Sequence, residues 1–256
     1  MTRRRRLVLT ACCLSVAAGG AALWGLRTTA TTRQGVNYAV TAHPIPLYVK
    51  ILDFLHRDAH YRLLAREMTT DCRTDQARVL AVFDWTRRHI RPTPQDWPIM
   101  DDHILDIIIR GHGLSDQMAD VFCTLATYAG VRAFWTLIRD VPESPGIVLS
   151  FANVNGRWRV FDVARGVVFR DPQGRLVAVE TFLATPMLAD VAHQVPVDIS
   201  YTGYFERLQP LRVPKILRAE QQMPWPRLCV EMRRAFDALV SGAHPAAGRA
   251  RRVSVN

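Results

Sequence analysis

The sequence has little of several residue types that mark common classes of protein. Only two of its 33 basic residues are lysines, Lys50 and Lys215, and its five cysteines form neither a CxxC pair nor a cluster with histidine. A zinc site, or any other metal cofactor, is therefore not expected. The sequence also lacks internal repeats and low-complexity tracts, which argues against repeat and collagenous architectures.

What is present is the composition of an ordinary globular protein, with 49% hydrophobic and 22% charged residues. A length of 256 residues corresponds to one domain, or to one domain with appendages. Three cysteines, Cys72, Cys123 and Cys229, lie outside residues 1–30. They allow at most one disulfide, and the sequence leaves open whether any pair forms.

The formal net charge of +10 is concentrated at the two ends of the chain. Residues 1–33 contain six arginines and no acidic residue, and the final segment adds Arg249, Arg251 and Arg252. Residues 34–248 hold 24 basic and 23 acidic side chains, so this part of the chain is close to neutral. A duplex-binding domain would concentrate cations on the folded surface that meets phosphate. We therefore expect no nucleic-acid partner.

The N-terminal charges flank an apolar run. Four arginines at residues 3–6 precede an uncharged stretch from Leu7 to Leu26. This layout is typical of a signal peptide or signal anchor, and the stretch is long enough to cross a bilayer as a helix. Because residues 28–30 form a poor cleavage site, we expect a single-pass anchor in the inner (cytoplasmic) membrane, with the domain on the periplasmic side. Cleavage and secretion to the periplasm is the alternative.

The next residues predict a linker followed by helices. Residues 31–47 are polar and contain prolines, which is typical of a linker. Apolar residues at helical spacing then predict four helices, the second capped by Thr74 and the last two ended by Gly111 and Gly130. These helices cover residues 48–68, 74–90, 101–110 and 115–129.

The second half of the chain predicts strands. Short runs rich in β-branched and aromatic residues occur at 133–139, 147–153, 157–162, 167–170 and 176–179. Asn155 and Gly156 predict a hairpin turn, and residues 171–174 predict another. Helices followed by antiparallel strands indicate an α+β fold. A proline-rich C-terminal extension with a helix at 227–240 is expected over residues 186–240, and a disordered basic tail over residues 241–256.

One stretch resembles a known family. Residues 111–133, GHGLSDQMADVFCTLATYAGVRA, resemble the core of the transglutaminase-like superfamily, which has a papain-like cysteine protease fold. There a Gly-x-Cys-x-Asp-type helix start leads through an apolar helix to a Gly-Ile/Val-x-Ala turn. Residues 147–162 are similar to the family's histidine strand, hairpin, tryptophan and aspartate. The resemblance covers about residues 74–180, and it implies a domain over residues 48–185 with N-terminal helices on an antiparallel sheet.

The resemblance also implies a site in which two of three catalytic positions are substituted. The family uses a cysteine nucleophile, a histidine base and an orienting aspartate for acyl transfer. Here the cysteine position holds Ser115 and the aspartate position holds Asp162. The histidine position holds Ile147, or Gly146 if the register slips by one residue. The resemblance therefore implies a degenerate triad.

No shift of register restores the missing base, because no histidine occurs between His112 and His193. Ser115 is expected to be a helix N-cap that accepts from the backbone of Gln117 or Met118, a role worth about 1 kcal/mol. The alternative is that Ser115 acts as a nucleophile with a base from outside the motif, such as His112. Cys123, two turns into the helix, is expected to pack rather than to react.

These observations predict a membrane-anchored, exported protein that binds without catalysis. The expected partner is an envelope protein, peptide or polysaccharide, held in the groove between helix 115–129 and the sheet. No cofactor is expected. One alternative is an active amide or ester hydrolase, or an acyltransferase, that uses Ser115. The other is a structural component of an envelope assembly.

Overall fold

A computed structural model describes residues 15–16, 19–20, 23–139, 144–193, 197–208 and 211–240. Its first sheet is a β-hairpin of β1 (Thr29–Val36) and β2 (Ala39–Pro46), paired along their full lengths. A hairpin thus occupies the segment that the sequence predicts to be a linker. β2 lies at the edge of its sheet, where its prolines cost no ladder hydrogen bonds.

The four predicted helices are confirmed, with small changes at their ends. They are α1 (Leu47–Thr69), α2 (Asp75–His89), α3 (Ile104–Arg110) and α4 (Ser115–Tyr128). The Thr74 hydroxyl caps α2 by accepting from the Ala77 amide at 3.1 Å. Gly111 ends α3 in the left-handed conformation, with φ +72°.

α3 begins three residues later than the sequence predicts, because the preceding residues form a short strand. This strand, β4 (Met100–Asp101), pairs with β1. Two further short strands, β3 (Arg91–Pro92) and β5 (His112–Gly113), pair in parallel as a separate two-stranded sheet. Together they attach the N-terminal hairpin to the start of α4.

The main sheet is antiparallel and has the order β6-β7-β8-β9. Its strands are β6 (Ala133–Ile138), β7 (Ile147–Val154), β8 (Arg157–Asp162) and β9 (Val167–Val168). The Asn155–Gly156 turn is confirmed, and both residues have positive φ, as a tight hairpin requires. The strand expected at 176–179 makes only isolated bridges, from Leu176 to Arg170 and from Ala178 to Arg159.

Each face of the main sheet carries its own apolar core. The first core joins α1, α2 and α4 to sheet residues that include Ala152 and Phe161. The second core joins the other face to the chain after β9, which supplies Phe182, Tyr201 and Phe205. The mixed helical and sheet fold expected from the sequence is confirmed, and the segment after residue 185 packs as part of the same body.

The chain after β9 contains three α-helices within its described residues. They are α5 (Val179–Ala184), α6 (Thr202–Arg207) and α7 (Pro224–Val240). Short 3₁₀ turns at Pro186–Asp190 and Glu220–Gln222 connect them. α7 begins three residues earlier than predicted, at a proline, which a helix tolerates in its first turn. The predicted tail at 241–256 lies outside the described residues.

Candidate functional site

Ser115, at the position of the family's cysteine, is the first residue of α4 and not its cap. The residue before it, Leu114, has the extended backbone of an N-cap, with φ −74° and ψ 171°. The prediction that Ser115 is the N-cap is therefore wrong, because the N-cap is the preceding residue, Leu114. Its side chain is exposed, and its hydroxyl forms no hydrogen bond with any described residue.

The start of α4 is held by Gln117. Its Oε1 accepts from the Leu114 amide at 3.1 Å and from the Arg110 guanidinium at 3.3 Å. Its side-chain amide donates to the Met100 carbonyl. The bond to Leu114 is the reciprocal half of a capping box. These contacts tie α4 to α3 and β4 without using the serine hydroxyl.

His112, the histidine nearest in sequence to Ser115, contacts other side chains. Its Nδ1 lies 3.3 Å from the Thr93 hydroxyl, and the edge of the Trp97 ring packs against it at 5.0 Å. Burial lowers the pKa of His112, and the charge of Arg110 lowers it further. The ring is therefore neutral near pH 7, but no hydrogen bond joins it to Ser115 in the structure as described.

Ile147, at the position of the family's histidine, lies on the side of the sheet away from α4. Alternate residues of a strand point to opposite faces. Ile147, Leu149 and Phe151 of β7 all belong to the second core, whereas Ala152 belongs to the core that contains α4. Ile147 is only 3% exposed. A register slip to Gly146 supplies no side chain.

Asp162 is buried on the same face as Ile147. Its neighbour Phe161 packs against Phe122 of α4, at a ring distance of 5.2 Å, so the Asp162 side chain points the other way. The structure therefore does not bring Ser115, Ile147 and Asp162 together as a triad.

The hydrogen bonds of the Asp162 carboxylate stabilise the fold. It is fully buried and accepts from the Arg165 amide at 2.9 Å and the Arg165 guanidinium at 3.1 Å. The Tyr201 hydroxyl donates to it at 3.0 Å. These bonds fix the turn after β8 and connect it to the C-terminal segment.

A buried polar group on α4 was missed by sequence reasoning. The Asp120 carboxylate is 7% exposed, and accepts from Trp135 Nε1 at 2.6 Å and from the Arg218 guanidinium at 2.8 Å. Burial raises the pKa of Asp120, while Arg218 and Trp135 oppose the shift. The available signal was an acidic residue within the apolar stripe of a helix, where a charge needs a partner.

Cys123 lies one turn further along α4 and is buried, as expected. Burial raises the pKa of its thiol well above the ordinary value, and the charge of Asp120 adds to this. A thiol in such surroundings is a poor nucleophile. Cys72, Cys123 and Cys229 are all free in the structure.

The groove expected between α4 and the sheet is closed. Residues 118–127 of α4 are all buried, mostly against the sheet and the other helices. An open pocket of about 750 Å³ lies between the N-terminal hairpin and α3, and Arg110 in its lining bonds to Gln117 of α4. An ion pair of Asp102 with Arg110 forms part of its wall, next to the exposed side chain of Ile109.

A second open pocket, of about 650 Å³, lies at the edge of the main sheet beside β8 and α5. Its lining contains four arginines, which are Arg157, Arg159, Arg170 and Arg175. Neither pocket contains Ser115, Ile147 or Asp162.

Much of the predicted anchor from Leu7 to Leu26 lies outside the described residues. Among those that are described, no helix has both the length and the apolar character needed to cross a membrane.

The chain is similar to parts of several solved structures. No protein-family profile matches the chain, and no match was found among curated proteins. The chain is similar to a candidate cysteine protease from Cytophaga hutchinsonii, with 18% identity and a TM-score of 0.36 over 47% of this chain. It is also similar to a candidate protease from Parabacteroides distasonis, with 9% identity and a TM-score of 0.33 over 59% of this chain.

A third structure, described as a TGase, has 10% identity and a TM-score of 0.32 over 64% of this chain. The chain spans 40%, 40% and 48% of the lengths of these three structures.

Proposed function

We propose that the protein is a catalytically degenerate transglutaminase-like protein that acts by binding a component of the cell envelope. The observation that carries this proposal is the position of Ile147. The residue that corresponds to the family's base is apolar, buried, and on the face of the sheet opposite the helix that begins with Ser115.

The chemistry of serine supports the same conclusion. A serine hydroxyl attacks an amide only when a base within hydrogen-bond reach removes its proton. Ser115 has no such bond to a described residue, and His112 is engaged with Thr93 and Trp97. The Asp162 carboxylate accepts hydrogen bonds from Arg165 and Tyr201, so it orients no base.

A fluorophosphonate probe tests the loss of catalysis. The purified full-length chain is expected to show no labelling above that of Ser115→Ala, while an ordinary serine hydrolase in the same tube is labelled. Labelling that disappears in Ser115→Ala, with circular dichroism unchanged, would instead establish a serine hydrolase or acyltransferase.

Membrane attachment is part of the proposal, and it rests on the arginines and the apolar run from Leu7 to Leu26. After cell fractionation, the full-length chain should remain in the membrane pellet through a carbonate wash. A version that begins at residue 31 should be released. If the protein expressed from the full-length sequence is instead found in the soluble fraction and has lost its N-terminal residues, a cleaved signal peptide is supported.

We place binding at the pocket beside Ile109, because this concave surface lies next to the start of α4. Ile109 is 73% exposed, so it gives the lining of this pocket apolar surface that a partner can cover. The chosen partner for a test is the peptidoglycan sacculus, an insoluble envelope polymer with both peptide and polysaccharide parts.

Cosedimentation with purified sacculi measures this binding. Ile109→Asp should weaken the affinity for sacculi by about tenfold, which corresponds to about 1.4 kcal/mol. Leu63→Asp is the matched control, because Leu63 is also exposed, at 61%, but lies on α1 outside the pocket. Equal binding by the wild-type chain and Ile109→Asp, or no binding by either, would count against the proposal.

A further inference from the structure

The pocket beside β8 has an excess of positive charge. Arg157, Arg159, Arg170 and Arg175 line it, and Asp171 is the acidic residue in its lining. The Asp171 carboxylate pairs with Arg175 at 2.8 Å. Three guanidinium groups therefore remain without an ion pair to any described residue.

These arginines are held in place by backbone carbonyls. Arg159 donates to the Leu176 carbonyl at 2.5 Å, and Arg170 donates to the Gly174 carbonyl at 2.8 Å. Such neutral acceptors fix the direction of a guanidinium without cancelling its charge. The positive charge is thus positioned by the fold and left available to an anion.

Arg159 has unused hydrogen-bonding capacity. Its Nε is buried and has no hydrogen-bond partner in the described structure. A buried donor without a partner costs free energy, and a shift of the guanidinium that brings Nε to a ligand oxygen recovers that cost. Burial and the neighbouring Arg157 both lower the pKa of Arg159, and Glu180 and Asp171 offset this only in part.

Apart from Thr181 and His193, the rest of the pocket is mostly apolar. Phe182 forms a buried part of its wall, and Leu188 and Val191 supply exposed apolar surface, at 39% and 76% exposure. Thr181 contributes a hydroxyl group to the lining. A volume of about 650 Å³ is within the range of small-molecule sites. The pocket therefore suits a ligand with a charged end and an apolar body.

We propose that this pocket binds an organic phosphate, with the phosphate on Arg157, Arg159 and Arg170 and the organic part on the apolar wall. A phosphomonoester carries close to two negative charges at pH 7, so it offsets three guanidinium groups better than a single carboxylate does. The planar guanidinium fork also matches phosphate oxygens. The lining of this pocket contains neither Ser115 nor any other residue of α4, so the inference holds whether or not Ser115 is catalytic.

Phenyl phosphate is a suitable probe, because it joins a phosphate to a small apolar ring. Isothermal titration of the full-length chain in detergent should show saturable binding. Benzoate, with the same ring and a single charge, should bind at least about tenfold more weakly, a difference of about 1.4 kcal/mol. Binding should also weaken as the pH falls below about 6, where phosphate takes up its second proton.

Arg157→Gln is the principal variant, because the exposed Arg157 side chain forms no hydrogen bond or ion pair with a described residue. Its loss should weaken phenyl phosphate binding about tenfold and leave the melting temperature unchanged. Arg66→Gln removes the same charge from an exposed position on α1 and should have no effect. Arg159→Lys keeps the charge but loses Nε, and should also weaken binding.

Some results would overturn the proposal. They are no saturable binding of phenyl phosphate, equal affinity for benzoate, or equal losses in Arg157→Gln and Arg66→Gln. The source of the phosphate is a separate arm of the experiment. If vesicles containing phosphatidic acid displace phenyl phosphate and phosphatidylcholine vesicles do not, the ligand is a lipid headgroup. If neither displaces it, the ligand is a soluble phosphate.

Discussion

The hydroxyl of Tyr201 donates a hydrogen bond of 3.0 Å to the carboxylate of Asp162, and both residues are fully buried. This bond joins the end of β8 to the segment that precedes α6. Burial and the adjacent carboxylate both raise the pKa of Tyr201, so its proton stays in the bond under ordinary conditions. Asp162 thus has a structural partner in Tyr201.

Tyr201→Phe should lower the free energy of unfolding by about 1–3 kcal/mol, because it leaves a buried carboxylate with one partner fewer. Urea denaturation measures the change. Tyr204→Phe is the matched control, since Tyr204 is half-buried and its hydroxyl forms no hydrogen bond with a described residue. Equal losses in the two variants would argue against a specific role for the Asp162 bond.

Ser115→Ala should change the free energy of unfolding by less than about 0.5 kcal/mol, because Ser115 is exposed and does not cap α4. Gln117→Ala should cost about 1–2 kcal/mol, because it removes the bonds to Leu114, Arg110 and Met100. Both are measured by urea denaturation. A larger loss in Ser115→Ala than in Gln117→Ala would contradict the observed cap.

Restoring the family's residue types should not restore a working pair. In Ser115→Cys, the pH dependence of iodoacetamide alkylation gives the pKa of the new thiol, after subtraction of the alkylation of the unmodified chain. Adding Ile147→His should leave that pKa unchanged, because residue 147 faces the second core. It should also destabilise the fold by about 2–4 kcal/mol, because an imidazole replaces a buried aliphatic group.

The control for this substitution is Ile147→Val, which should cost only about 0.5–1.5 kcal/mol. A clear fall in the thiol pKa on addition of Ile147→His would show that the two residues meet, and would overturn the assignment of Ile147 to the opposite face.

Asp120 should make the stability of the fold depend on pH. Because burial raises its pKa in the folded state, the folded chain binds this proton more tightly than the unfolded chain does. The resulting stabilisation is present below the ordinary aspartate pKa and is lost as the pH rises through the folded value. Relative to Asp120→Asn, the wild-type chain should therefore gain stability as the pH falls from about 7 to about 4.

Urea midpoints of the two chains at several pH values measure this difference, and other titrating groups cancel in the comparison. Asparagine still accepts from Trp135, so Asp120→Asn should fold. If the wild-type chain instead gains stability relative to Asp120→Asn as the pH rises, the pairing of Asp120 with Arg218 outweighs the effect of burial.

The helices and the main sheet were predictable because their signals are local. Apolar spacing, the Thr74 cap and the Asn155–Gly156 turn each act over a few residues, and the structure has each of them. The N-terminal hairpin was not predicted, because prolines usually indicate a break in regular structure. Whether a proline is tolerated depends on whether its strand is at an edge, and the sequence alone does not state this.

For the candidate site, the sequence predicted which residues occupy the three positions but not which face of the sheet their side chains are on. A strand of alternating residues fixes which side chains share a face, but it does not say which face meets α4. The second core decides that question, and it is built from residues as distant in sequence as Phe134 and Leu217. The partners of Asp120 were hidden for the same reason, since Arg218 reaches it from the C-terminal segment.

The second core has a consequence for the newly made chain. The face of the sheet that carries Leu149 and Phe151 is not fully covered until Phe205 and Leu217 have been synthesised. Native burial of this face therefore lags behind synthesis of the sheet itself. During that interval the exposed apolar residues are a binding surface for chaperones.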